Sequence, residues 1–226
     1  MTRSAVLSRL TDLYEHPRYL EVGVAEGTTF FRVPAARKVA VDPEFRFDVV
    51  QARAAHPGSD YHQVTSDEFF ASVVEPDEQF DVIYLDGLHV YEQTLRDLTS
   101  ALHHLQPRGV VVVDDTHPPT HLASIPDLDR YVRLREHLGS TDRRWMGDVY
   151  KLVWFVESFM PHLSYRTIAN NHGQTVLWRH RRTDYPRRTL REVTDLGFEQ
   201  MVVDQQALRL APFGEIRRQL RRDLGL

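Results

Sequence analysis

The stretch Phe80-Asp-Val-Ile-Tyr-Leu-Asp86 decides the fold, together with the segment that follows it as far as Asp115. Phe80–Asp86 is a short apolar run, which is typical of a strand buried on both faces of a sheet. An amphipathic helix is predicted over residues 91–105, and Pro107-Arg108-Gly109 then predicts a turn. The run Val110-Val-Val-Val113 is β-branched throughout and predicts a second buried strand. Because strand, helix and strand follow one another, we expect a parallel sheet covered by helices, and thus an α/β fold.

The chain on either side extends this pattern. On the N-terminal side the predicted elements are a helix over 2–15, strands at 19–24, 38–42 and 61–65, a helix over 47–55, and a helix that Ser66-Asp67 would cap. On the C-terminal side they are helices at 127–138 and 147–159, strands at 163–168 and 175–178, and an amphipathic segment over 213–226. The last two strands are joined through a short turn and should therefore be antiparallel.

The length of 226 residues fits one domain with an appendage. We expect a main domain over residues 1–180 and a helical extension of the same domain over 181–226. The long segment 116–146 follows the end of a predicted strand, so it should cover the ligand side of the sheet as a lid or acceptor-binding insertion.

Composition excludes several functional classes. The net charge of −4 argues against a nucleic-acid-binding protein, which usually has a basic surplus. No apolar run approaches the roughly 20 residues that a membrane-spanning helix needs. The chain has no cysteine, so disulfides and thiolate metal sites are excluded. Because the N-terminus does not resemble a signal peptide, we expect a cytoplasmic protein. A homodimer is the favoured oligomeric state.

A glycine-rich turn follows the first predicted strand. Its pattern is Glu21-x-Gly23-x-x-x-Gly27, and Thr28 then begins a predicted short helix. Glycines at the end of a strand let the backbone approach a ligand closely, and a helix start offers free N–H groups. The dinucleotide fingerprint G-x-G-x-x-G would need glycine at Ala25 and at Thr28, and neither position has it. The residues alone leave a ligand-binding turn and a plain strand–helix turn both open.

Three polar residues further along suit the same ligand. Asp42 ends the second predicted strand, where a carboxylate can accept hydrogen bonds from both ribose hydroxyls of a nucleotide-like ligand. Ser66 and Asp67 follow the third strand and could contact an adenine, but they equally suit a helix N-cap.

Three acids end two neighbouring strands, namely Asp86, Asp114 and Asp115. Parallel strands bring these carboxylates to one edge of the sheet, where they would repel one another and raise one another's pKa. A hard divalent cation such as Mg²⁺ would resolve the repulsion, since it prefers carboxylate oxygens. Scattered helix caps are the alternative, and spacing does not decide between them.

The glycine turn resembles the first motif of class I S-adenosylmethionine-dependent methyltransferases, with Ala25 in place of a middle glycine. The resemblance implies a Rossmann-like, doubly wound, mostly parallel sheet of seven strands with an antiparallel last strand. It also implies that the turn faces the methionine part of S-adenosylmethionine, with Glu21 nearby. The implied cofactor-binding residues are Glu21, Gly23, Val24, Ala25, Glu26, Gly27, Thr28, Asp42, Ser66, Asp67 and Asp86.

A second resemblance covers about residues 18–118, with a weaker match at Trp145-Met-Gly-Asp-Val-Tyr-Lys151 that would place Trp145 in the acceptor pocket. The run Tyr84-Leu-Asp-Gly-Leu-His-Val-Tyr-Glu-Gln-Thr-Leu-Arg-Asp97, followed by the strand that ends in Asp114-Asp115, resembles the family of macrolide-sugar, macrocin-type O-methyltransferases. In that family, as in catechol-type methyltransferases, three strand-end acids hold Mg²⁺. The resemblance implies that Asp86, Asp114 and Asp115 are the metal ligands. It also implies catalytic roles for Asp86 and for His89, the latter as general base.

The function implied is transfer of a methyl group from S-adenosylmethionine to a hydroxyl of a small molecule, such as a sugar or an aromatic or polyketide natural product. Three alternatives stay open. They are a metal-independent methyltransferase, a nicotinamide-dependent oxidoreductase, and a non-catalytic binding or scaffold protein that keeps the fold.

Overall fold

The computed structural model describes all 226 residues. The helices are α1 (Arg3–Thr11), α2 (Val49–Ala55), α3 (Ser66–Glu68), α4 (Tyr91–His103), α5 (Leu128–His137), α6 (Lys151–Phe159), α7 (Leu190–Thr194), α8 (Phe198–Val203) and α9 (Phe213–Leu224). The strands are β1 (Arg18–Val22), β2 (Arg37–Val41), β3 (Ser59–His62), β4 (Phe80–Leu85), β5 (Leu105–Val113), β6 (Leu163–Thr167) and β7 (Thr175–Arg179).

One seven-stranded sheet carries the fold, in the order β3-β2-β1-β4-β5-β7-β6. Neighbouring strands from β3 to β5 are parallel, whereas β7 is antiparallel to both β5 and β6. The direction in which successive strands are added reverses between β1 and β4. In open α/β sheets the crevice at the carboxyl ends of such strands is where ligands bind. The predicted Rossmann-like, mostly parallel sheet with an antiparallel last strand is confirmed.

Apolar side chains cover both faces of the sheet. On one face α4 and α6 pack against residues such as Leu20 and Val22 of β1. On the other face α1 and α9 pack against the alternate positions, such as Tyr19. Because successive side chains of a strand point to opposite faces, the apolar strands supply two cores at once. No helix combines the length and the apolar character that crossing a membrane requires.

The sequence misplaces one turn. Residues 107–109, predicted as a turn, lie inside β5. Phe80 pairs with Leu105 and Val82 with Val110, so the second strand has extra residues between two neighbouring pairs. The extra residues bulge out of the ladder, which explains how a proline and a glycine can be part of this strand.

A buried arginine anchors the start of the segment over residues 181–226. Arg182 donates hydrogen bonds to four backbone carbonyls, from Nε to Leu163 at 2.7 Å and from Nη2 to Val156 at 2.8 Å, Glu157 at 3.1 Å and Met160 at 3.3 Å. These carbonyls belong to α6, to β6 and to the turn between them. Arg182 therefore joins the start of this segment to α6 and β6.

Candidate functional site

A cavity of about 1240 Å³ lies at the carboxyl ends of β1, β2 and β4. It contains every predicted cofactor-binding residue except Gly27, namely Glu21, Gly23, Val24, Ala25, Glu26, Thr28, Asp42, Ser66, Asp67 and Asp86. His89 lies on its wall as well. The fold thus gathers these residues from four separate segments of the sequence around one cavity.

Gly23 is required where β1 leaves the sheet. Its φ is +89°, and its N–H donates to the carbonyl of Val41 at 2.9 Å. A Cβ built on Gly23 would lie 1.9 Å from the backbone oxygen of Asp86. Only glycine lets the ends of β1 and β4 approach this closely, and the approach places the turn beside Asp86.

Asp42 holds the same turn in place from β2. Its Oδ2 accepts a hydrogen bond from the N–H of Ala25 at 2.8 Å, and its Oδ1 accepts one from Glu44 N–H at 2.8 Å. Ala25 has φ +44°, a left-handed conformation that glycine adopts without cost, and here the related motif has its middle glycine. Each carboxylate oxygen of Asp42 keeps further acceptor capacity, which a ribose hydroxyl can use.

The predicted short helix after the glycine turn is present only as a 3₁₀ helix. Only a single 3₁₀ turn follows, Phe30–Arg32, and Thr29 makes no side-chain capping bond. The next residue, Val33, is extended, because the proline that follows it disfavours the helical conformation there. The backbone groups of the turn itself, not an α-helix N-terminus, therefore line this side of the cavity.

Ser66 and Asp67 face the cavity and do not cap the helix. The N-cap is Thr65, whose Oγ1 accepts a hydrogen bond from Glu68 N–H at 3.2 Å. This corrects the capping interpretation of Ser66 and Asp67. Both side chains instead accept hydrogen bonds from Gln93 Nε2, at 3.2 and 3.1 Å.

Glu21 is a buried carboxyl group at the base of the cavity. Its Oε2 accepts a hydrogen bond of 2.5 Å from the hydroxyl of Tyr19. Burial raises the pKa of Glu21 to about 8, against the opposing effects of the Tyr19 hydrogen bond and of Lys38. Lys38 is itself buried, and its Nζ donates to the carbonyls of Phe30 and Val33. A cationic partner in the cavity would thus stabilise the ionised form of Glu21.

The strand-end acids form an acidic centre, defined here as Asp86, Asp114 and Asp115. Asp114 and Asp115 are almost fully buried, and the hydroxyl of Tyr84 lies 3.0 Å from Asp86 Oδ2 and 2.9 Å from Asp114 Oδ2. Burial, and then the charges of Asp86 and Asp115, raise the pKa of Asp114 well above its usual range. The predicted convergence of these three acids is therefore present.

His89 completes the acidic centre from the segment before α4. Its Nδ1 lies 2.7 Å from the carbonyl oxygen of Trp145, which can only accept, so Nδ1 carries a hydrogen. Its Nε2 faces Asp115 Oδ2 at 3.1 Å and Asp86 Oδ1 at 3.7 Å. Burial would lower the pKa of His89, but Asp86 and Asp115 outweigh that effect and raise the pKa to about 9. The two carboxylates therefore favour the protonated form of His89.

The donor set of this centre suits a divalent cation. One ligand atom each from Asp86, His89 and Asp115 lie within 4.8 Å of one another. In addition, Asp114 Oδ1 and Asp115 Oδ2 are buried and accept no hydrogen bond. Unsatisfied buried carboxylate oxygens are costly, and coordination to a cation would satisfy them. The magnesium-ligand roles of the three acids stay predictions.

Sequence reasoning missed two residues of this site and offered a third only by resemblance. Arg3 contacts the acidic centre from α1, and His172 and Trp145 lie on the cavity wall. Trp145 is the only residue of the 116–146 segment that lines the cavity, and its ring lies beside that of His89, tilted by 32° with 4.7 Å between ring centroids. The sequence offered Trp145 only through the family resemblance, and gave no signal for Arg3 or His172.

Comparison with known proteins identifies the class. Residues 20–116 match the family model described as a methyltransferase domain. No curated protein matches the chain by sequence. The chain therefore carries a methyltransferase domain, and the matched range spans the glycine turn, His89 and all three strand-end acids.

Solved structures with a similar fold point the same way. A candidate O-methyltransferase from Klebsiella pneumoniae has a TM-score of 0.56 at 15% identity, covering 79% of this chain and 80% of its own. The O-methyltransferase TomG of Streptomyces achromogenes, involved in tomaymycin synthesis and solved with S-adenosylmethionine, has a TM-score of 0.51 at 19% identity, covering 78% and 79%. An O-methyltransferase from Bacillus cereus, solved with S-adenosylhomocysteine, has a TM-score of 0.50 at 16% identity, covering 77% and 79%.

At these identities the structural likeness shows the fold, and the domain match adds the enzyme class. The chain is a methyltransferase with the class I fold, as the sequence predicted. The comparisons thus favour methyl transfer over the nicotinamide-dependent alternative.

Proposed function

We propose that this protein transfers a methyl group from S-adenosylmethionine to a hydroxyl of a small molecule. The observation that carries the proposal is that one cavity joins the glycine turn and Asp42 to Asp86 and His89. A methyl donor at one end and a proton-accepting centre at the other are what O-methylation needs in a single site. Two proteins of the same fold were solved with this cofactor or its demethylated product, which supports the choice of donor.

The cofactor is proposed to lie along the cavity from Glu21 to Ser66. Its ammonium group would pair with Glu21, whose buried carboxyl lacks a fixed ionic partner in the cavity. The ribose hydroxyls would bind Asp42, and the adenine would lie near Ser66 and Asp67. Gly23 would then face the methionine part, since no side chain separates its backbone from the cavity.

The acceptor is proposed to lie between His89 and Trp145. Sites for a single small ligand occupy roughly 300–1000 Å³, so a cavity of about 1240 Å³ leaves room for a second small molecule beside the cofactor. The residues there, which include His172 and the aromatic ring of Trp145, suit a ring that carries hydroxyls. A sugar or an aromatic or polyketide natural product, as the family resemblance implies, has this chemistry.

His89 is the proposed general base. Proton transfer from the acceptor hydroxyl to Nε2 requires neutral imidazole, and Nδ1 is already committed to the carbonyl of Trp145. The hydrogen bond to Trp145 fixes the ring so that Nε2 alone faces the cavity centre. If the negative charges on Asp86 and Asp115 were neutralised, the neutral form of the His89 imidazole would be favoured.

A divalent cation is proposed to be held by Asp86 and Asp115, with Asp114 as the third predicted ligand. When bound, Mg²⁺ would supply Lewis-acid stabilisation of the developing alkoxide. A metal-independent methyltransferase is the second candidate, and one observation favours it, because Arg3 already supplies a positive charge to Asp114 and Asp115.

The test is calorimetric titration of S-adenosylhomocysteine into the native protein and into Asp42→Ala. We expect micromolar binding by the native protein and a loss of about 10- to 100-fold in the variant, since hydrogen bonds to a charged group contribute about 1.5–3 kcal/mol. The control is Asp60→Ala on the neighbouring strand, whose side chain is exposed and lies outside the cavity. Absence of binding to correctly folded native protein would refute the proposal.

A second measurement tests the catalytic assignment. Methyl transfer from labelled S-adenosylmethionine is measured against hydroxyl-bearing sugars and phenols, with and without EDTA. We expect His89→Gln to lose turnover while it keeps affinity for S-adenosylhomocysteine. Unchanged turnover in this variant would remove His89 as the base, and EDTA resistance would favour the metal-independent candidate.

A further inference from the structure

Arg3 inserts a positive charge into the acidic centre from outside the sheet. It is the first residue of α1, and its guanidinium pairs with Asp114 through Nε and with Asp115 Oδ1 through Nη2 at 3.3 Å. About a third of the Arg3 side chain is exposed, whereas the two acids are nearly inaccessible. The contact therefore joins a surface helix to the most deeply buried carboxylates of the site.

The helix that carries Arg3 is firmly anchored. Val6, Leu7 and Leu10 of α1 are fully buried against the sheet, and the side chain of Thr2 caps the first turn of the helix. A guanidinium delivered by such a helix has a defined position, unlike one on a free loop. Arg3 is thus a built part of the site and not a mobile surface charge.

Charge counting shows why a cation is needed here. Asp86, Asp114 and Asp115 lie together, and His89 supplies at most one positive charge against them. Repulsion between buried carboxylates is strong because little water screens it. Arg3 contributes a second positive charge that cannot be lost by deprotonation.

We propose that Arg3 is the resident cation of the acidic centre and that it competes with a divalent cation for Asp114 and Asp115. A guanidinium seated on these carboxylates takes one oxygen of each, Asp114 Oδ2 and Asp115 Oδ1, and so weakens both acids as ligands of a divalent cation. It also repels such a cation. The native protein should therefore bind divalent cations weakly, and Arg3 sets that affinity.

Arg3 also holds Asp115, the acid that faces His89. Its Nη2 holds Asp115 Oδ1, so the other oxygen, Oδ2, faces His89 Nε2 at 3.1 Å. Asp115 has φ +59°, a left-handed conformation that costs energy for a residue with a side chain. The pairing with Arg3 helps to offset this cost. These assignments concern the acidic centre itself and do not depend on which acceptor is methylated.

The test is a titration of Mn²⁺ into cofactor-free protein, followed by the electron paramagnetic resonance signal of free Mn²⁺. We expect Arg3→Met to bind Mn²⁺ at least about tenfold more tightly than the native protein, because a like charge next to the site is removed. The matched control is Arg9→Met, an exposed arginine on the same helix, which should leave the affinity unchanged. Arg3→Lys keeps the charge and should bind weakly, like the native protein.

Two further variants complete the design. Asp114→Asn combined with Arg3→Met should remove the gain in affinity, which ties the gain to the acid that Arg3 contacts. Arg3→Gln retains hydrogen-bond donors without the charge and replaces Arg3→Met if the latter does not fold. Native protein that binds Mn²⁺ as tightly as the charge-removed variant would overturn the proposal, as would a gain that persists without Asp114. Because the readout is cation binding, this outcome is separate from that of the methyl-transfer assay.

Discussion

Replacement of Gly23 by alanine should disrupt both the fold and the cofactor cavity, and the structure sets the size of the effect. The new Cβ would lie 1.9 Å from the backbone oxygen of Asp86 and 2.7 Å from the Cα of Gly87. No flexible side chain can move away, since both contacts are to backbone. The φ of +89° adds a conformational cost of about 1–2 kcal/mol for a residue with a Cβ. Overpacking adds about 1–3 kcal/mol. We therefore expect Gly23→Ala to lower the free energy of unfolding by about 2–5 kcal/mol.

Gly139→Ala separates the two causes. Gly139 also has a positive φ, +59°, but no atom lies within 4 Å of the position that its Cβ would occupy. It should therefore lose only the conformational part, about 1–2 kcal/mol. Urea denaturation of both variants measures the free energy of unfolding, and titration with S-adenosylhomocysteine measures the cavity. Equal destabilisation of Gly23→Ala and Gly139→Ala would refute the claim that close approach to Asp86 is what requires glycine.

Two further predictions concern buried charges. The pKa of Glu21 is raised from 4.5 to about 8, so the folded protein holds this proton more tightly than the unfolded chain does. The stability that protonated Glu21 contributes is therefore full below about pH 4.5 and is lost as the pH rises to about 8. The Glu21→Gln side chain cannot ionise. Without cofactor, the free energy of unfolding of this variant should therefore rise relative to that of the native protein by a few kcal/mol between pH 5 and pH 8. A difference between the two proteins that does not change with pH in urea denaturation would contradict the assignment. Arg182→Met should lower the free energy of unfolding by about 3 kcal/mol or more, because four buried carbonyls lose their donor. The neighbouring exposed Arg181→Met should change it by less than about 0.5 kcal/mol, and similar effects of the two substitutions in thermal and urea melts would show that Arg182 does not fasten the extension.

The parts of the site that lie at strand ends could be predicted from the sequence. Asp42, Asp86 and Asp114 each follow a buried apolar run, and the carboxyl ends of parallel strands lie along one edge of a sheet. Once the strand–helix–strand order had indicated a parallel sheet, the convergence of these residues followed from topology alone. Local periodicity was sufficient because the relevant geometry is that of neighbouring strands.

The conformation of the turns was harder to predict from the sequence. The sequence indicated a helix after Gly27, but the chain forms only a 3₁₀ turn, because Pro34 follows within a few residues. It also offered Ser66 and Asp67 as caps, although Thr65 is the residue with the extended conformation that an N-cap needs. A run of several capping residues does not show which one adopts that conformation, since the choice depends on where the preceding strand ends.

The partner of the acidic centre could not be predicted at all. Arg3 and Asp115 are 112 residues apart in the chain, and their contact depends on how α1 docks on the finished sheet. The chain has 28 lysine and arginine residues, and nothing in the local sequence of Arg3 distinguishes it from the others. Three clustered carboxylates predict that positive charge must be supplied, but a metal ion, a histidine and a guanidinium all meet that need. The sequence therefore predicts that the three acids need positive charge nearby, whereas only the tertiary structure shows that Arg3 supplies part of that charge.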